Sequence, residues 1–78
     1  MKPIRAFILI QVKPGYETSV AETLTSYDEI EEAYLVYGEW DIVAKVKAPT
    51  IGELKDLIVK KIRTIPGVEM TSTLVVVE

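Results

Sequence analysis

The chain has 78 residues, a net charge of −3 at neutral pH, and neither cysteine nor histidine, which excludes disulfides, thiolate zinc sites and a histidine general base. A sequence isoelectric point near 4.9 argues against a nucleic-acid-binding surface, and no apolar run reaches the roughly 18 residues that span a bilayer. We expect one cytoplasmic domain over residues 1–78, with no cofactor, no metal, no catalytic residue, and no direct contact with DNA or membrane.

The first predicted element is a strand over Ile4–Val12, which is rich in β-branched and apolar residues. Its even-numbered positions are apolar, and Phe7 and Leu9 make the odd-numbered face apolar at its centre as well. Two apolar faces are typical of a central strand that is covered on both sides. Pro14-Gly15 ends the strand.

A helix is predicted next, over residues 16 to about 26. The apolar positions of one face fall at helical spacing: Tyr16, Val20, Leu24 and Tyr27. We expect both tyrosines to pack in the core. The acidic run Asp28-Glu29-Ile30-Glu31-Glu32 predicts a solvated loop that discourages edge pairing. The alternative is a cation site, but its oxygens lack the regular spacing of a calcium loop. A second strand is predicted over residues 33–37.

The second half of the chain repeats this pattern. A third strand begins at Ile42, alternates apolar and mixed positions, and stops at Ala48-Pro49. Thr50-Ile51-Gly52-Glu53 fits a capping box, so a helix is predicted to begin there. Pro66-Gly67 closes that helix, and the last strand is predicted over residues 68–77.

This element order predicts an α+β fold, a ferredoxin-like βαββαβ sandwich whose antiparallel sheet carries both helices on one face. Right-handed crossovers put the first and third strands in the centre. The other sheet face then has no cover from this chain, although the first strand is apolar on both sides and Leu74-Val75-Val76-Val77 does not alternate. Because large apolar faces mark interfaces, we expect a homodimer that packs sheet face against sheet face.

The connection Tyr37-Gly38-Glu39-Trp40-Asp41 joins the two halves of the chain. Glycine and aspartate between two β-patterned runs predict a hairpin. An ordinary hairpin turn is small and polar, whereas this one holds the single tryptophan of the chain between two carboxylates. A large amphipathic ring at that place needs cover from its own sheet, a ligand or another subunit.

Two tracts resemble the effector domain of the Lrp/AsnC (feast/famine) transcription regulators, known as the regulator of amino-acid metabolism (RAM) domain. The first is similar to that domain's Gly-x-aromatic-Asp hairpin and reads Val36-Tyr37-Gly38-Glu39-Trp40-Asp41-Ile42-Val43. The second is similar to its closing strand, with a Pro-Gly-Val start and a Thr-x-Thr step, and reads Ile65-Pro66-Gly67-Val68-Glu69-Met70-Thr71-Ser72-Thr73-Leu74-Val75-Val76. The resemblance covers the whole chain.

The resemblance implies dimers that assemble into rings, often octamers, with amino-acid effectors bound at dimer–dimer contacts near the hairpin. It implies a ligand site made by Tyr37, Gly38, Glu39, Trp40, Asp41, Thr71 and Thr73. The chain begins at the first strand of the effector domain, so we expect no helix-turn-helix domain and no recognition helix. What remains is a stand-alone ligand-binding module that modulates full-length regulators or amino-acid metabolism.

The chemistry of these residues suits a free amino acid. Asp41 can accept hydrogen bonds from the ammonium, and a glycine-containing turn exposes backbone N–H groups to the carboxylate. Thr71 and Thr73 are two residues apart, so both hydroxyls face one side of a strand. Each residue also has a simpler explanation. Asp41 can satisfy its own turn, the threonines can reflect β-propensity, and Trp40 can pack in an oligomer without touching ligand.

Three other functions stay open on the sequence. Small dimeric ferredoxin-like proteins include cofactor-free enzymes, but beside Asp41 or Glu39 no second catalytic group stands at an obvious spacing. A purely structural module could join full-length regulators into mixed rings. An ACT-type amino-acid domain has the same strand order, and it would differ by pairing side by side through sheet edges or helices.

Overall fold

The computed structural model describes residues 2–78. Its elements in chain order are β1 (Ile4–Val12), α1 (Glu17–Thr25), β2 (Ile30–Leu35), β3 (Ile42–Ala48), α2 (Ile51–Asp56) and β4 (Val68–Val75). The helix α2 continues as a π-helical turn over Leu57–Lys61 and a 3-10 turn over Ile62–Thr64. No helix in this part of the chain is long and apolar enough to cross a membrane.

The strands form one antiparallel sheet in the order β2-β3-β1-β4. This confirms the prediction that the first and third strands are central. The register is fixed along β1, where Ile8 lies between Ala44 of β3 and Thr73 of β4. Since paired residues share a sheet face, the register decides which side chains of the four strands lie together.

The core lies between the sheet and the two helical segments, which confirms that both helices cover the same face. The even-numbered positions of β1 are buried there, together with Val20 and Leu24 of α1 and Leu54 of α2. Leu57 and Ile62, from the turns that extend α2, are also buried. This single layer of aliphatic side chains provides the hydrophobic driving force for a chain that has no disulfide.

The odd-numbered positions of β1 lie on the opposite face, which no element of the described chain covers. One cross-strand row there consists of Glu32, Lys45, Phe7 and Leu74, and the next of Tyr34, Val43, Leu9 and Ser72. Phe7 and Leu74 are 38% and 54% exposed. The Tyr34 hydroxyl donates a hydrogen bond to Glu32, which also forms an ion pair with Lys45 at 3.8 Å. The uncovered sheet face is therefore apolar around Phe7, Leu9 and Leu74. Polar side chains lie around this patch: Glu32 and Tyr34 of β2 with Lys45 of β3, and the cross-strand pair of Arg5 and Lys47 at one end of the central strands.

The second strand begins earlier than the sequence predicted. We expected residues 28–32 to form a loop and the strand to occupy residues 33–37, but β2 runs from Ile30 to Leu35. Ile30 is buried and pairs with Val46, and the register shifts before Glu32 pairs with Lys45. The charges lie on an edge strand, where their side chains reach solvent or the lysine, so an acidic sequence does not prevent strand formation there.

The predicted regularity of the second helix holds only for its first part. The cap is confirmed, because the Glu53 N–H donates to Thr50 Oγ1 at 3.1 Å. After Asp56 the helix widens into the π turn and then tightens into the 3-10 turn. The last strand is also shorter than predicted, since β4 ends at Val75.

The two tyrosines of the first helical face have different positions. Tyr27 is partly buried against the core, as predicted, and its ring lies 5.3 Å from the Lys61 ammonium. Tyr16 precedes α1 and is 42% exposed, so its predicted place in the core was wrong. Its ring covers Gly67, where the backbone has φ +98° and an added Cβ would lie 2.5 Å from Tyr16 Cβ. The last loop therefore needs glycine at this position for conformation and for space.

Candidate functional site

The β2–β3 connection is a six-residue loop, residues 36–41, rather than a tight two-residue turn. Gly38 has φ +133°, a backbone conformation that L side chains rarely adopt. A Cβ built on Gly38 would meet no atom within 4 Å. Glycine is required here by the backbone alone, and the space beside it is open.

Asp41 connects the β2–β3 loop to the end of β1 through its backbone and side chain. Its N–H donates to the Ile10 carbonyl at 2.9 Å, and its own carbonyl accepts from the Val36 N–H at 2.9 Å. Its Oδ2 accepts from the Val12 N–H at 2.8 Å. Asp41 thus extends the pairing of β1 and β3 by one step. Its Oδ1 accepts no hydrogen bond from residues 2–78.

The loop preceding Asp41 presents unused backbone donors. The N–H groups of Tyr37, Gly38, Glu39 and Trp40 donate to no acceptor within residues 2–78. The Glu39 carbonyl accepts a hydrogen bond from Gln11 Nε2 at 3.2 Å, which holds the loop against the end of β1. A run of N–H donors beside a carboxylate oxygen can bind a group that carries both charges.

A groove of about 480 Å³ opens beside this loop, and we call it the hairpin groove. It is lined by Glu17, Leu35, Val36, Tyr37 and Asp41. Leu35 is 57% exposed and the Tyr37 side chain is fully exposed, so the groove has an apolar wall in contact with solvent. Its volume lies within the range of about 300–1,000 Å³ that small-molecule sites occupy.

Glu17 is a lining residue that the sequence did not point to. It lies in the first turn of α1, where its Oε1 accepts a hydrogen bond from the Gly15 N–H at 2.9 Å. The helical pattern placed it away from the apolar face, which correctly kept it out of the core. Only the fold shows that the start of α1 lies beside the β2–β3 loop, because no local pattern links residues so far apart along the chain.

Thr71 and Thr73 lie on the far side of β1 from the hairpin. They pair with Ile10 and Ile8 respectively, so both hydroxyls lie on one face of β4, as predicted, and both are half-buried. That face is the helix-covered one, and β1 separates them from β3. Two strand spacings amount to about 10 Å, and neither threonine lines the hairpin groove.

A smaller concavity of about 280 Å³ lies beside Thr71. Its lining consists of Arg63, Val68, Glu69, Met70 and Thr71. Within one chain, then, the predicted site residues fall into separate groups. Tyr37 and Asp41 line the hairpin groove. The β2–β3 loop beside the groove also contains Gly38 and Glu39, which are exposed, and Trp40, which is half-buried. The threonines lie on the other side of β1.

Metal binding has no visible basis in residues 2–78, because no group of three or more acidic, histidine or cysteine side chains is placed to hold an ion. On the uncovered sheet face, the Tyr34 hydroxyl donates a hydrogen bond to the Glu32 carboxylate, and this bond raises the pKa of Tyr34. A backbone hydrogen bond, and then Lys61, lower the pKa of Glu29 despite partial desolvation.

Comparison with known proteins gives one consistent family. The family model for the Lrp/AsnC ligand binding domain matches residues 5–78. FL11, an HTH-type transcriptional regulator of Pyrococcus abyssi, is 42% identical over 73 residues, which make up 94% of this chain and 48% of FL11. The chain thus spans about half the length of the curated relatives it matches.

Solved structures give the same result. The crystal structure of FFRP-DM1 superposes with a TM-score of 0.92 at 42% identity, covering 95% of this chain and 99% of that one. The structure of Escherichia coli AsnC superposes with a TM-score of 0.91 at 34% identity, covering 96% of this chain and 51% of AsnC.

Proposed function

The chain belongs to the Lrp/AsnC ligand-binding-domain family, and on that premise we propose that it is an oligomeric module that binds a free amino acid at the β2–β3 loop. The relatives compared above are regulators, so the family is regulatory rather than enzymatic. In this proposal ligand binding changes the stability or size of the oligomer, and the oligomer modulates regulators of the same family or amino-acid metabolism.

The observation that carries the proposal is the pairing of free donors with a free acceptor at one loop. The N–H groups of residues 37–40 have no partner within the described chain, and Asp41 Oδ1 has none either. A free amino acid presents an ammonium and a carboxylate on one carbon atom. Asp41 would accept from the ammonium and the loop N–H groups would donate to the carboxylate, in charge-assisted hydrogen bonds.

The loop geometry favours this use. Gly38 has no side chain, so it leaves open space beside its own N–H. Glu39 and Trp40 flank the donors, and Tyr37 supplies the exposed ring of the hairpin groove. Asp41 is held by Val12 through Oδ2, which leaves Oδ1 preorganised. A fixed acceptor binds more tightly than a mobile one because less conformational freedom is lost on binding.

The threonines would take part through a second copy of the chain. In one chain Thr71 and Thr73 lie across β1 from the hairpin, and neither lines the hairpin groove. We propose that the hydroxyls reach a ligand held by the hairpin of another dimer, at the dimer–dimer contact of a ring. Fully exposed Tyr37 at the tip of the loop suits such a contact, since exposed aromatic side chains are typical interface anchors.

The dimer itself would form through the uncovered sheet face. Phe7, Leu9 and Leu74 lie side by side on it. A second copy placed face to face would bury these side chains. The dimer would then have a second apolar layer, in addition to the core that a chain of this size builds only marginally. The Glu32–Lys45 pair and Tyr34 would lie at the margin of the contact, beside β2.

A thermal-shift screen of the amino acids, run beside light scattering, tests the proposed function. A ligand that binds only the folded protein at one hundred times its Kd adds about 2.7 kcal/mol, which raises the Tm of a domain of this size by about 10 °C or more. We expect at least one amino acid to do this and to shift the oligomer size.

A second candidate function is an assembly module that binds no ligand. The exposed side chain of Tyr37 favours this function as well. It predicts the same oligomer in light scattering but no response to any amino acid. A flat screen at millimolar concentrations would contradict the ligand-binding proposal and leave the assembly module as the function of this chain.

A further inference from the structure

The hairpin groove contains more negative charge than a bare amino-acid backbone needs. Asp41 contributes one carboxylate from the start of β3, and Glu17 contributes a second from the first turn of α1. No lysine or arginine is among the lining residues, and neither carboxylate forms an ion pair within residues 2–78. The groove is therefore an acidic site whose two carboxylates have no cationic side chain as a partner within the described chain.

Each of the two carboxylates uses only part of its capacity to accept hydrogen bonds. Glu17 Oε1 accepts from the Gly15 N–H at 2.9 Å, and Asp41 Oδ2 accepts from the Val12 N–H at 2.8 Å. These bonds anchor both side chains, and each retains an oxygen without a partner among residues 2–78. If Asp41 binds the ammonium on the α-carbon, Glu17 remains available for another part of the ligand.

The rest of the lining is apolar. Leu35, Val36 and Tyr37 are all partly or fully open to solvent and supply a hydrophobic wall. A ligand side chain made of methylene groups would bury part of this wall, with about 25 cal/mol gained for each Å² removed from water. The wall thus suits an apolar stem, and Glu17 suits a positive charge.

We propose that the hairpin groove selects amino acids whose side chain has an apolar stem and a cationic end, as in lysine and arginine, and that Glu17 is the residue that determines this specificity. The inference rests on the proposed function, because it assigns the ammonium and carboxylate of the ligand to Asp41 and the loop N–H groups. An acidic side chain would face two carboxylates of like charge. A neutral side chain would leave Glu17 without a new partner.

Calorimetric titration with L-lysine and L-norleucine tests the proposal. The two amino acids share a four-carbon stem, but norleucine lacks the terminal amine. The proteins are wild type, Glu17→Gln and the control Glu22→Gln, which changes an exposed α1 carboxylate outside the groove. Glutamine keeps an oxygen for the Gly15 N–H, so Glu17→Gln removes the charge while preserving the turn.

We expect wild type and Glu22→Gln to bind lysine at least about tenfold more tightly than norleucine. A hydrogen bond to a charged group changes affinity by about tenfold to a hundredfold. Glu17→Gln should remove most of this preference by weakening the binding of lysine. Equal or tighter binding of norleucine by wild type, or an unchanged lysine preference in Glu17→Gln, would overturn the specificity proposal alone. Binding of neither ligand, with a flat screen of all amino acids, would overturn the proposed function and this inference with it.

Discussion

At the scale of single residues, Asp41 has a structural contribution that its sequence context did not indicate. The sequence offered two uses for it, a ligand contact or the satisfaction of its own turn. The structure shows a third, because Oδ2 accepts the N–H of Val12 on the neighbouring strand. The bond is partly buried, so Asp41 supports the sheet whether or not its other oxygen meets a ligand.

Two variants separate the structural contribution of Asp41 from its charge in the unliganded protein. Asp41→Ala leaves the Val12 N–H without an acceptor, which costs about 1–3 kcal/mol. Since about 1 kcal/mol shifts the Tm of a small domain by about 4–8 °C, its melting point should fall clearly. Asp41→Asn keeps an acceptor oxygen and should change the Tm by only a few degrees. Circular-dichroism melts of both variants measure this, and an equally large loss in both would show that the charge itself stabilises the sheet.

At the scale of elements, the β2–β3 loop depends on one glycine. Gly38 has φ +133°, and residues other than glycine in such backbone regions cost about 1–3 kcal/mol. Its surroundings are empty, so the cost of a side chain there would come from the backbone and not from a clash.

Gly38→Ala should therefore lower the midpoint of thermal unfolding and weaken any ligand that uses the loop N–H groups. The matched control is Gly52→Ala in α2, where an added Cβ meets only Thr50 Oγ1 at an ordinary 3.8 Å. Alanine in a helix is favoured over glycine by about 0.5–1 kcal/mol, so this control should melt higher. Shifts of the same sign and size in the two variants would contradict the requirement for a positive φ at Gly38.

The sequence predicted the order and type of every element because each has a strong local signal. Ile4–Val12 was predicted without error, since this nine-residue segment is rich in β-branched and apolar residues and is followed by Pro14-Gly15. The start of β2 was missed because Glu31 and Glu32 are poor strand formers whose positions are decided by Lys45 and by burial of Ile30. The π turn after α2 was not predicted either.

The candidate site was predictable only as far as its residues are adjacent in sequence. Tyr37 and Asp41 belong to one motif, and they line one groove. Glu17 joins them through the tertiary fold, which a local pattern cannot reveal. Thr71 was assigned to the same site by family resemblance, yet in one chain it lies across β1. In the proposed ring it would reach the hairpin of another copy, and a local sequence pattern does not reveal such a contact.

At the scale of the whole molecule, the sheet has one protected and one uncovered face. The helices cover the even-numbered side of β1, and Phe7 and Leu9 lie on the other side. The odd-numbered side is therefore the one that a proposed face-to-face dimer would use. A substitution on the uncovered face should disturb assembly while leaving the helix-covered core in place, whereas the same change at Ile8 would enter the core itself.

Leu9→Lys should dissociate the oligomer, because an unpaired charge buried in an interface costs several kcal/mol. The control Thr18→Lys adds the same side chain at an exposed position of α1. Sedimentation velocity at micromolar concentration should show the control as wild-type oligomer and Leu9→Lys as a smaller species with preserved circular dichroism. A wild-type chain that sediments as a stable 8.7 kDa monomer, or an unchanged oligomer of Leu9→Lys, would refute assembly through this face.

The most direct test of the account is the affinity of the Asp41→Asn variant for whichever amino acid stabilises the wild-type protein most. Calorimetric titration is carried out with wild type, Asp41→Asn and the control Asp56→Asn, which changes an exposed aspartate of α2 that pairs only with Lys60. Loss of a charge-assisted bond worth about 1.5–3 kcal/mol should raise the Kd of Asp41→Asn roughly tenfold to a hundredfold, with the control unchanged. If Asp41→Asn binds as tightly as wild type, Asp41 only supports the sheet and the β2–β3 loop does not hold the ammonium of the ligand.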